Sequence, residues 1–191
     1  AMEAQLRIFP YPDIGNFTEI FPMKKDKNGT WVFTWPGDHK GLYYTFSVFI
    51  NMKWLNDMPD PYAKLVGVNG RRALIEDLKE TNPAGWENDK SPAFFKKTDA
   101  VIYELHVRDA SISLNSGIQN KGKFLGLAET GTKNMEGLST GLDHLKELGV
   151  THVHLLPSYD FNSVDETSRQ PKYNWGYDPL NYNVPEGSYA T

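Results

Sequence analysis

Residues 173–179 (YNWGYDP) are the segment of this sequence with the clearest chemical character. Aromatic side chains, an Asn and an Asp surround Gly176, and Pro179 prevents a helix or strand from continuing through the segment. A pyranose ring has complementary surfaces, because its C–H faces stack on aromatic rings while its hydroxyl groups need hydrogen bonds. The composition therefore predicts a sugar-binding loop. Its candidate substrate-binding residues are Asn174, Trp175, Tyr177 and Asp178.

These candidates also have structural alternatives. Tyr177 and Trp175 would then pack the loop onto the protein, and Asp178, which precedes a proline, would cap its own turn. For Trp175 the two interpretations are balanced. For Tyr177 sugar contact is the favoured one.

Cleavage of a glycosidic bond with retention needs two carboxylates about 5 Å apart, one as nucleophile and one as acid and base. The predicted long loops contain many carboxylates: Asp109, Glu129, Glu136, Asp160, Asp165, Glu166, Asp178 and Glu186. Asp165 and Glu166 are adjacent, but neighbouring carboxylates in an exposed loop usually point apart into water. We therefore do not nominate this pair, and the resemblance described below assigns no other carboxylate of the chain to a catalytic position, so no catalytic residue is nominated.

The histidines of the two predicted parallel strands could either bind a metal or pack within the fold. His152 and His154 alternate on one face of a predicted strand, and His106 lies on the preceding predicted strand. Two His residues at this spacing bind zinc when further ligands are available, but no third ligand stands at a usual spacing and Cys is absent. We therefore expect packed or hydrogen-bonded histidines and no metal site.

Aromatic residues of the first third of the chain allow two interpretations. They form either a separate glycan-binding platform or part of the core of a β domain. Alternating aromatic residues are more often core, so we expect core. The residues concerned are Trp31, Trp35, Tyr43, Tyr44 and Trp54.

The composition excludes several classes of protein. The 191 residues carry a net charge of −4, and Lys and Arg occur only in short runs, so no basic stripe is available for a nucleic acid. No apolar run reaches the roughly 18 residues that a membrane span requires. The absence of Cys excludes disulfides and thiol catalysis but leaves the compartment open, so no localisation is predicted.

The first half of the chain has the pattern of short strands separated by turns. Residues 5–9 alternate between apolar and polar types, and residues 42–51 form a second β-rich run. Asn28-Gly29 predicts a hairpin turn, with a strand following at 30–35 and a weaker one at 73–75. Strands at this spacing, without a helical period, predict an antiparallel sandwich.

The pattern changes after residue 98. Residues 100–107 predict a strand buried on both faces, and residues 151–157 predict a second strand. A helix is expected between them. The order strand, helix, strand predicts a parallel sheet.

The helix between these strands has recognisable signals at both ends. Thr140 with Asp143 fits a capping box at its beginning, and Gly149 is expected to end it. Its apolar face consists of leucines at helical spacing: Leu138, Leu142, Leu145 and Leu148.

Two long connections follow the predicted parallel strands. Residues 108–137 separate the first strand from the helix, and residues 158–191 follow the second strand, both without a predicted helix. Long loops of this kind are usually functional. Since α/β barrels place their sites at the carboxyl ends of parallel strands, the sugar-binding loop is expected at such an end.

The chain resembles the type I pullulanases, debranching enzymes of the α-amylase superfamily that cleave α-1,6-glucosidic bonds. Segments similar to their catalytic barrel lie at 101–109 (VIYELHVRD), 122–127 (GKFLGL), 141–153 (GLDHLKELGVTHV) and 173–179 (YNWGYDP). Segments similar to their upstream module lie at 36–38 (PGD), 41–44 (GLYY) and 60–63 (DPYA).

The resemblance implies a mixed fold. Residues 1–98 are expected to form an immunoglobulin-like β-sandwich without its first strand, together with a connector. Residues 99–191 are expected to form the first βαβ portion of an incomplete (β/α)₈ TIM barrel, because a complete barrel needs roughly 250 residues. The family's Asp-x-x-x-Asn-His run and its catalytic Asp, Glu and second Asp are expected downstream of this chain.

The resemblance further implies part of a retaining glycoside hydrolase that acts on pullulan, glycogen or limit dextrins. In such an enzyme Tyr177 stacks on the glucose at the cleavage point. The chain alone is expected to be inactive. Its expected partner is an α-glucan. It would gain activity if a second chain carrying the remaining strands completed the barrel. No cofactor is expected, and nothing in this sequence argues for calcium. The alternative is a non-catalytic glycan-binding or interaction protein left by truncation of a gene.

Overall fold

The chain folds into two compact units, each assembled from separate stretches of sequence. A computed structural model describes residues 1–169 and 172–191. Unit 1 comprises Ala1–Asn82, Tyr159–Lys172 and Asp178–Pro185, and unit 2 comprises Pro83–Ser158, Tyr173–Tyr177 and Glu186–Thr191. The predicted domains, 1–98 and 99–191, meet at a single boundary, and this division stays a prediction.

Unit 1 is built on an antiparallel sheet, as its strand pattern predicts. Strand β1 pairs with β2 on one side and with β5 on the other, and β6 and β7 both pair with β5. A separate hairpin joins β3 to β4. The strands are β1 (Glu3–Phe9), β2 (Glu19–Pro22), β3 (Lys24–Lys25), β4 (Trp31–Val32), β5 (Tyr43–Ile50), β6 (Lys53–Trp54) and β7 (Ala73–Leu74). The immunoglobulin-like sandwich stays a prediction.

The hairpin turn at Asn28-Gly29 is confirmed, because both residues have positive φ, 56° and 81°, as such a turn requires. The strand after it is shorter than predicted. Phe33 lies at 4.6 Å and Trp35 at 5.0 Å from the ring of Phe21, measured between ring centroids. These residues contribute to an aromatic cluster instead of extending the β-ladder.

Unit 2 contains the predicted strand–helix–strand arrangement. Strands β8 (Ile102–Leu105) and β9 (His152–Leu155) pair in parallel, with Ile102 opposite His152. Helices α1 (Phe124–Ala128) and α2 (Gly141–Glu147) lie between them in sequence. Within the described residues this parallel sheet has two strands and does not close into a barrel.

The prediction that the strand at 100–107 is buried on both faces is wrong for this chain. Ile102 is 66% exposed, and most of β8 and all of β9 are exposed as well. The side chains of a parallel sheet become buried when other elements cover both of its faces, and within the described residues the faces of β8 and β9 are largely uncovered.

The predicted capping box of α2 is also wrong. The hydroxyl of Thr140 donates to the backbone carbonyl of Ser116 at 2.5 Å, while the carboxylate of Asp143 accepts the backbone N–H of Gly131. Both side chains connect the start of the helix to the preceding loop. The predicted end is confirmed, because α2 stops at Glu147 and Gly149 follows with φ of 75°.

Residues 108–137 are not a structureless loop. They contain α1, and the carboxylate of Glu129, which directly follows this helix, hydrogen-bonds to the backbone shortly before it. Its carboxylate accepts the backbone N–H groups of Gln119 at 2.8 Å and Asn120 at 2.7 Å. These two hydrogen bonds are the main reason that the pKa of Glu129 is lowered from its ordinary value.

The segment 158–191 contains an unpredicted strand pair. Strands β10 (Tyr159–Phe161) and β11 (Pro179–Pro185) run antiparallel in unit 1. Of the helices in the described ranges, none has the length and apolar character needed to cross a lipid bilayer.

Replacing Glu129 with Gln is expected to lower the free energy of unfolding at neutral pH. Because the native pKa is lowered, the carboxylate stabilises the fold above the ordinary Glu pKa, and this contribution is lost as the pH falls through the native value. Urea unfolding of both proteins across this range checks it. Glu87→Gln, which changes an exposed carboxylate, serves as control. If the difference in free energy of unfolding between wild type and Glu129→Gln is the same in acid as at neutral pH, the carboxylate does not have this role.

Candidate functional site

The predicted sugar-binding loop spans residues 173–179, of which Tyr173–Tyr177 belong to unit 2. We call Tyr173–Tyr177 the aromatic loop. Gly176 has a φ of 87° and lies against Pro157, the second residue after β9. A Cβ atom at Gly176 would lie 2.0 Å from the carbonyl oxygen of Pro157, so this position requires glycine. The side-chain oxygen of Asn174 accepts the N–H of Gly176 at 2.6 Å. The turn is therefore fixed both by its own hydrogen bond and by close approach to the end of β9.

A second set of contacts ties the aromatic loop to the end of β8. The side chain of His106, the first residue after this strand, is buried, and its Nε2 lies 2.8 Å from the carbonyl oxygen of Asn174. The hydroxyl of Tyr173 donates to Asp109 Oδ2 at 2.9 Å. The rings of His106 and Tyr173 stack with centroids 5.1 Å apart. The loop thus contacts residues that directly follow both parallel strands.

The aromatic rings that would contact a sugar remain exposed. Trp175 is 57% and Tyr177 is 70% exposed. The ring of Trp175 packs edge-on against Tyr173 with centroids 5.6 Å apart. The loop therefore combines a fixed backbone with two accessible aromatic rings.

The two polar candidates lie in different surroundings. The side chain of Asn174 is engaged within the loop, where it orders the turn at Gly176. Asp178 is partly buried in unit 1, and its backbone carbonyl accepts the N–H of Asn162 at 3.1 Å. For both residues, contact with sugar stays a prediction.

A cavity of about 440 Å³ opens beside the aromatic loop in unit 2. Its walls combine the end of β8 with the loop and with α2. The polar and aromatic side chains that line it are those of Tyr103, Glu104, His106, Asp109, His144, Tyr173 and Trp175.

The two tyrosines beside His106, Tyr173 and Tyr189, both have raised pKa values. Burial, followed by the hydrogen bond to Asp109, raises the pKa of Tyr173. Burial, followed by the charge of Glu186, raises the pKa of Tyr189. A phenol is protonated at neutral pH even at its ordinary pKa, so Tyr173 is a hydrogen-bond donor there, as its contact with the Asp109 carboxylate requires.

Asp165 and Glu166 do not point apart into water, contrary to the sequence-based expectation. Both bind Asn69: its backbone N–H donates to Glu166 Oε2 at 2.9 Å, and its side-chain Nδ2 donates to Asp165 Oδ1 at 3.1 Å. Asn69 has a φ of 58°, a left-handed conformation that Asn adopts more readily than most residues. The two carboxylates hold this turn of unit 1.

Asp160 and Glu166 have carboxylate oxygens within 4.8 Å of each other, close to the separation in retaining glycosidases. Asp160, however, is buried and accepts the side-chain N–H of Asn181 at 2.6 Å. The same amide donates to the carbonyl of Gly70 at 2.9 Å. Both carboxylates therefore support the turn at Asn69–Gly70.

The three histidines of the predicted strands have polar contacts of the kind expected for packed or hydrogen-bonded residues. His152 Nδ1 lies 2.8 Å from the hydroxyl of Thr151, and His154 Nδ1 lies 3.1 Å from Glu104 Oε2. His106 contacts the aromatic loop. Its structural importance was missed by sequence reasoning, because the partner is a backbone carbonyl 68 residues away and leaves no local pattern.

The aromatic residues of unit 1 divide between packing and a surface groove. Trp54 packs against Phe49 with ring centroids 5.4 Å apart. Trp31, Trp35 and Tyr44 line a groove of about 700 Å³. A glycan platform on this unit stays a prediction.

Comparison with known proteins gives a consistent result over nearly the whole chain. The pullulanase of Bacillus subtilis is 45% identical over 174 residues, which cover 90% of this chain and 23% of that enzyme. The crystal structure of apo pullulanase from Paenibacillus barengoltzii matches with a TM-score of 0.96 and 56% identity, covering 100% of this chain and 29% of that one. The chain is homologous to pullulanases.

The match to pullulanases is confined to a part of their length. The chain spans less than a third of either protein named above. A second structure of the Paenibacillus barengoltzii pullulanase, in complex with maltohexaose and alpha-cyclodextrin, matches with the same TM-score and identity and is covered to 30%. No protein-family profile matches the chain.

Replacing Gly176 with Ala is expected to destabilise unit 2 more than the same change at Gly149. Both glycines have positive φ, but a Cβ at Gly149 meets no atom within 4 Å. Gly149→Ala therefore carries only the conformational cost of about 1–2 kcal/mol. Gly176→Ala adds an overlap with Pro157 that costs about 1–3 kcal/mol more. Urea unfolding of both variants measures the difference, and equal destabilisation would show that the close approach is unimportant.

Proposed function

We propose that this chain forms part of the substrate site of a pullulanase-type glycoside hydrolase, which cleaves α-1,6-glucosidic bonds in pullulan, glycogen or limit dextrins with retention. Residues 1–98 would supply an immunoglobulin-like module, and residues 99–191 would supply the first βαβ portion of the (β/α)₈ barrel. The observation that carries the proposal is the aromatic loop, whose backbone is fixed while Trp175 and Tyr177 remain exposed. The homology to pullulanases supports the reaction class.

The chemistry of the loop supports an α-glucan as substrate. A glucose ring stacks on an aromatic side chain through its apolar C–H face, and Tyr177 offers the more exposed ring of the two. Stacking holds the sugar in place while positive charge develops at its anomeric carbon, as in the transition state of glycoside hydrolysis. The homologous Paenibacillus barengoltzii enzyme binds maltohexaose and alpha-cyclodextrin, which agrees with this substrate class.

The residues of this chain supply binding in this proposal and no catalytic carboxylate. The neighbouring carboxylates of Asp160 and Glu166 in unit 1 are committed to the turn at Asn69–Gly70. Further barrel strands that carry the catalytic Asp, Glu and Asp would complete the site. Supply of those strands by a second chain stays a prediction without an observation in its favour. The homology does not favour the alternative of a non-catalytic remnant.

In a full-length pullulanase that carries this sequence, Tyr177→Ala is expected to lower kcat/KM on pullulan about tenfold or more, a loss of about 1.4 kcal/mol of transition-state stabilisation. Tyr177→Phe keeps the stacking face and is expected to retain most of the activity. Tyr182→Ala removes an exposed tyrosine of β11 in unit 1 and serves as control. Unchanged kcat/KM for Tyr177→Ala would remove this residue from the substrate site.

The isolated 191-residue chain is expected to release no reducing sugar from pullulan, because the proposed carboxylates lie outside it. A reducing-sugar assay on material of the expected intact mass, 21.7 kDa, checks this prediction. Full-length pullulanase serves as the positive control. Turnover by the pure chain would mean that it contains a catalytic pair, and the proposal of a binding role alone would then be wrong.

A further inference from the structure

The hydrogen-bond partners of His106 define which of its ring nitrogens carries the proton. The backbone N–H of Asp109 lies 3.3 Å from Nδ1, and a backbone N–H can only donate. Nδ1 must therefore be the unprotonated nitrogen. The carbonyl oxygen of Asn174 lies 2.8 Å from Nε2, and a carbonyl can only accept. Both contacts are satisfied together by one form alone, the neutral ring with its proton on Nε2.

Aromatic rings on two sides fix the direction in which this Nε2–H points. Tyr173 stacks on the imidazole at 27° between the ring planes, and Tyr189 meets it edge-on at 86°. The hydroxyl of Tyr189 lies 3.1 Å from Nε2. The ring of His106 is itself buried, with 6% of the residue exposed. Its donor is therefore aimed at the Asn174 carbonyl by packing as well as by hydrogen bonding.

The Asn174 carbonyl is well placed to control the exposed rings. It belongs to the peptide that leads directly into Trp175, so its direction sets the position from which that side chain leaves the backbone. The following residue, Gly176, turns the chain toward Tyr177 with a φ of 87°. A rotation of the 174–175 peptide would therefore move both rings.

We infer that His106 is the positioning residue of the aromatic loop: its neutral, Nε2-protonated ring holds the Asn174 carbonyl and thereby orients Trp175 and Tyr177. The consequence for glucan binding rests on the proposed function, whereas the effect on the loop does not. Among the described residues, Asp109 Oδ1 lies 3.9 Å from Nδ1 of the ring, and Arg108 lies 3.1 Å from the same carboxylate. His106 itself is not assigned to the sugar or to the reacting atoms.

Two substitutions of His106 distinguish the roles of its two ring nitrogens. The side-chain amide nitrogen of Gln stands as many bonds from Cβ as Nε2 does, so His106→Gln keeps a donor for Asn174 and loses the acceptor for Asp109. The side-chain oxygen of Asn corresponds in the same way to Nδ1, so His106→Asn keeps the acceptor and loses the donor. Both variants remove the ring and its stacking on Tyr173. Because Asn is one methylene shorter than Gln, a difference at one amide alone could reflect packing, whereas opposite changes at the Gly176 and Asp109 amides report the hydrogen bonds.

Amide hydrogen exchange of the 191-residue chain by NMR provides the readout. In His106→Asn the Gly176 amide is expected to exchange about three- to tenfold faster than in His106→Gln, the factor that one neutral hydrogen bond supplies. The Asp109 amide is expected to show the reverse order. Equal exchange of both amides in the two variants would reduce His106 to a packing residue and overturn the inference.

A measurement on the unmodified chain covers the case in which either variant fails to fold. Nitrogen-15 NMR of the imidazole distinguishes a protonated from an unprotonated ring nitrogen. Protonation of Nε2 alone at neutral pH is expected for His106. Protonation of Nδ1, or of both nitrogens, would overturn the inference.

Kinetics in a full-length pullulanase that carries this sequence connect the loop to substrate. His106→Asn is expected to raise KM for pullulan more than His106→Gln does, because the rings are displaced in the former. If the exchange pattern is reciprocal but Tyr177→Ala leaves kcat/KM unchanged, the positioning role stands and the proposed substrate contact fails. If the exchange pattern is absent, the positioning role fails whatever the kinetics show.

Discussion

The parallel pairing of β8 with β9 is the constraint on which the rest of unit 2 depends. Because Leu105 lies opposite Leu155 in this register, the residues that follow the two strands emerge at the same edge of the sheet. His106 and Pro157 are such residues, and the aromatic loop is held by both of them. A change of register would separate these two contacts and leave Trp175 and Tyr177 without a fixed backbone. The strand pairing therefore fixes the position of the aromatic loop, on which the proposed contact with substrate depends.

Much of this arrangement was predictable from local sequence. The strand at residues 5–9, the Asn28-Gly29 turn and the strand–helix–strand order of unit 2 are predicted from patterns of neighbouring residues, and the structure confirms them. The composition of residues 173–179 likewise predicted a loop with exposed aromatic faces. Burial of β8 was predicted wrongly, because it depends on neighbouring strands that the described residues do not include.

The features that sequence reasoning missed share a physical cause, since each is a contact between distant segments. Thr140 matched a local capping box, but its hydroxyl donates to the backbone carbonyl of Ser116. Asp165 and Glu166 were expected to be exposed loop carboxylates, but both accept hydrogen bonds from Asn69. His106 was expected to be a packed or hydrogen-bonded histidine, and the sequence did not indicate that its partner is the backbone carbonyl of Asn174. Polar side chains find such partners only through the tertiary fold, and no periodicity in the sequence records them.

We propose that the aromatic loop presents Tyr177 to an α-glucan from a backbone that is already in place. The most direct test is a crystal structure of a full-length pullulanase carrying this sequence with bound maltotriose. Our account predicts a glucose ring stacked on Tyr177, with the hydrogen bond from His106 to Asn174 unchanged. A bound sugar elsewhere, with Tyr177 packed against protein, would contradict it.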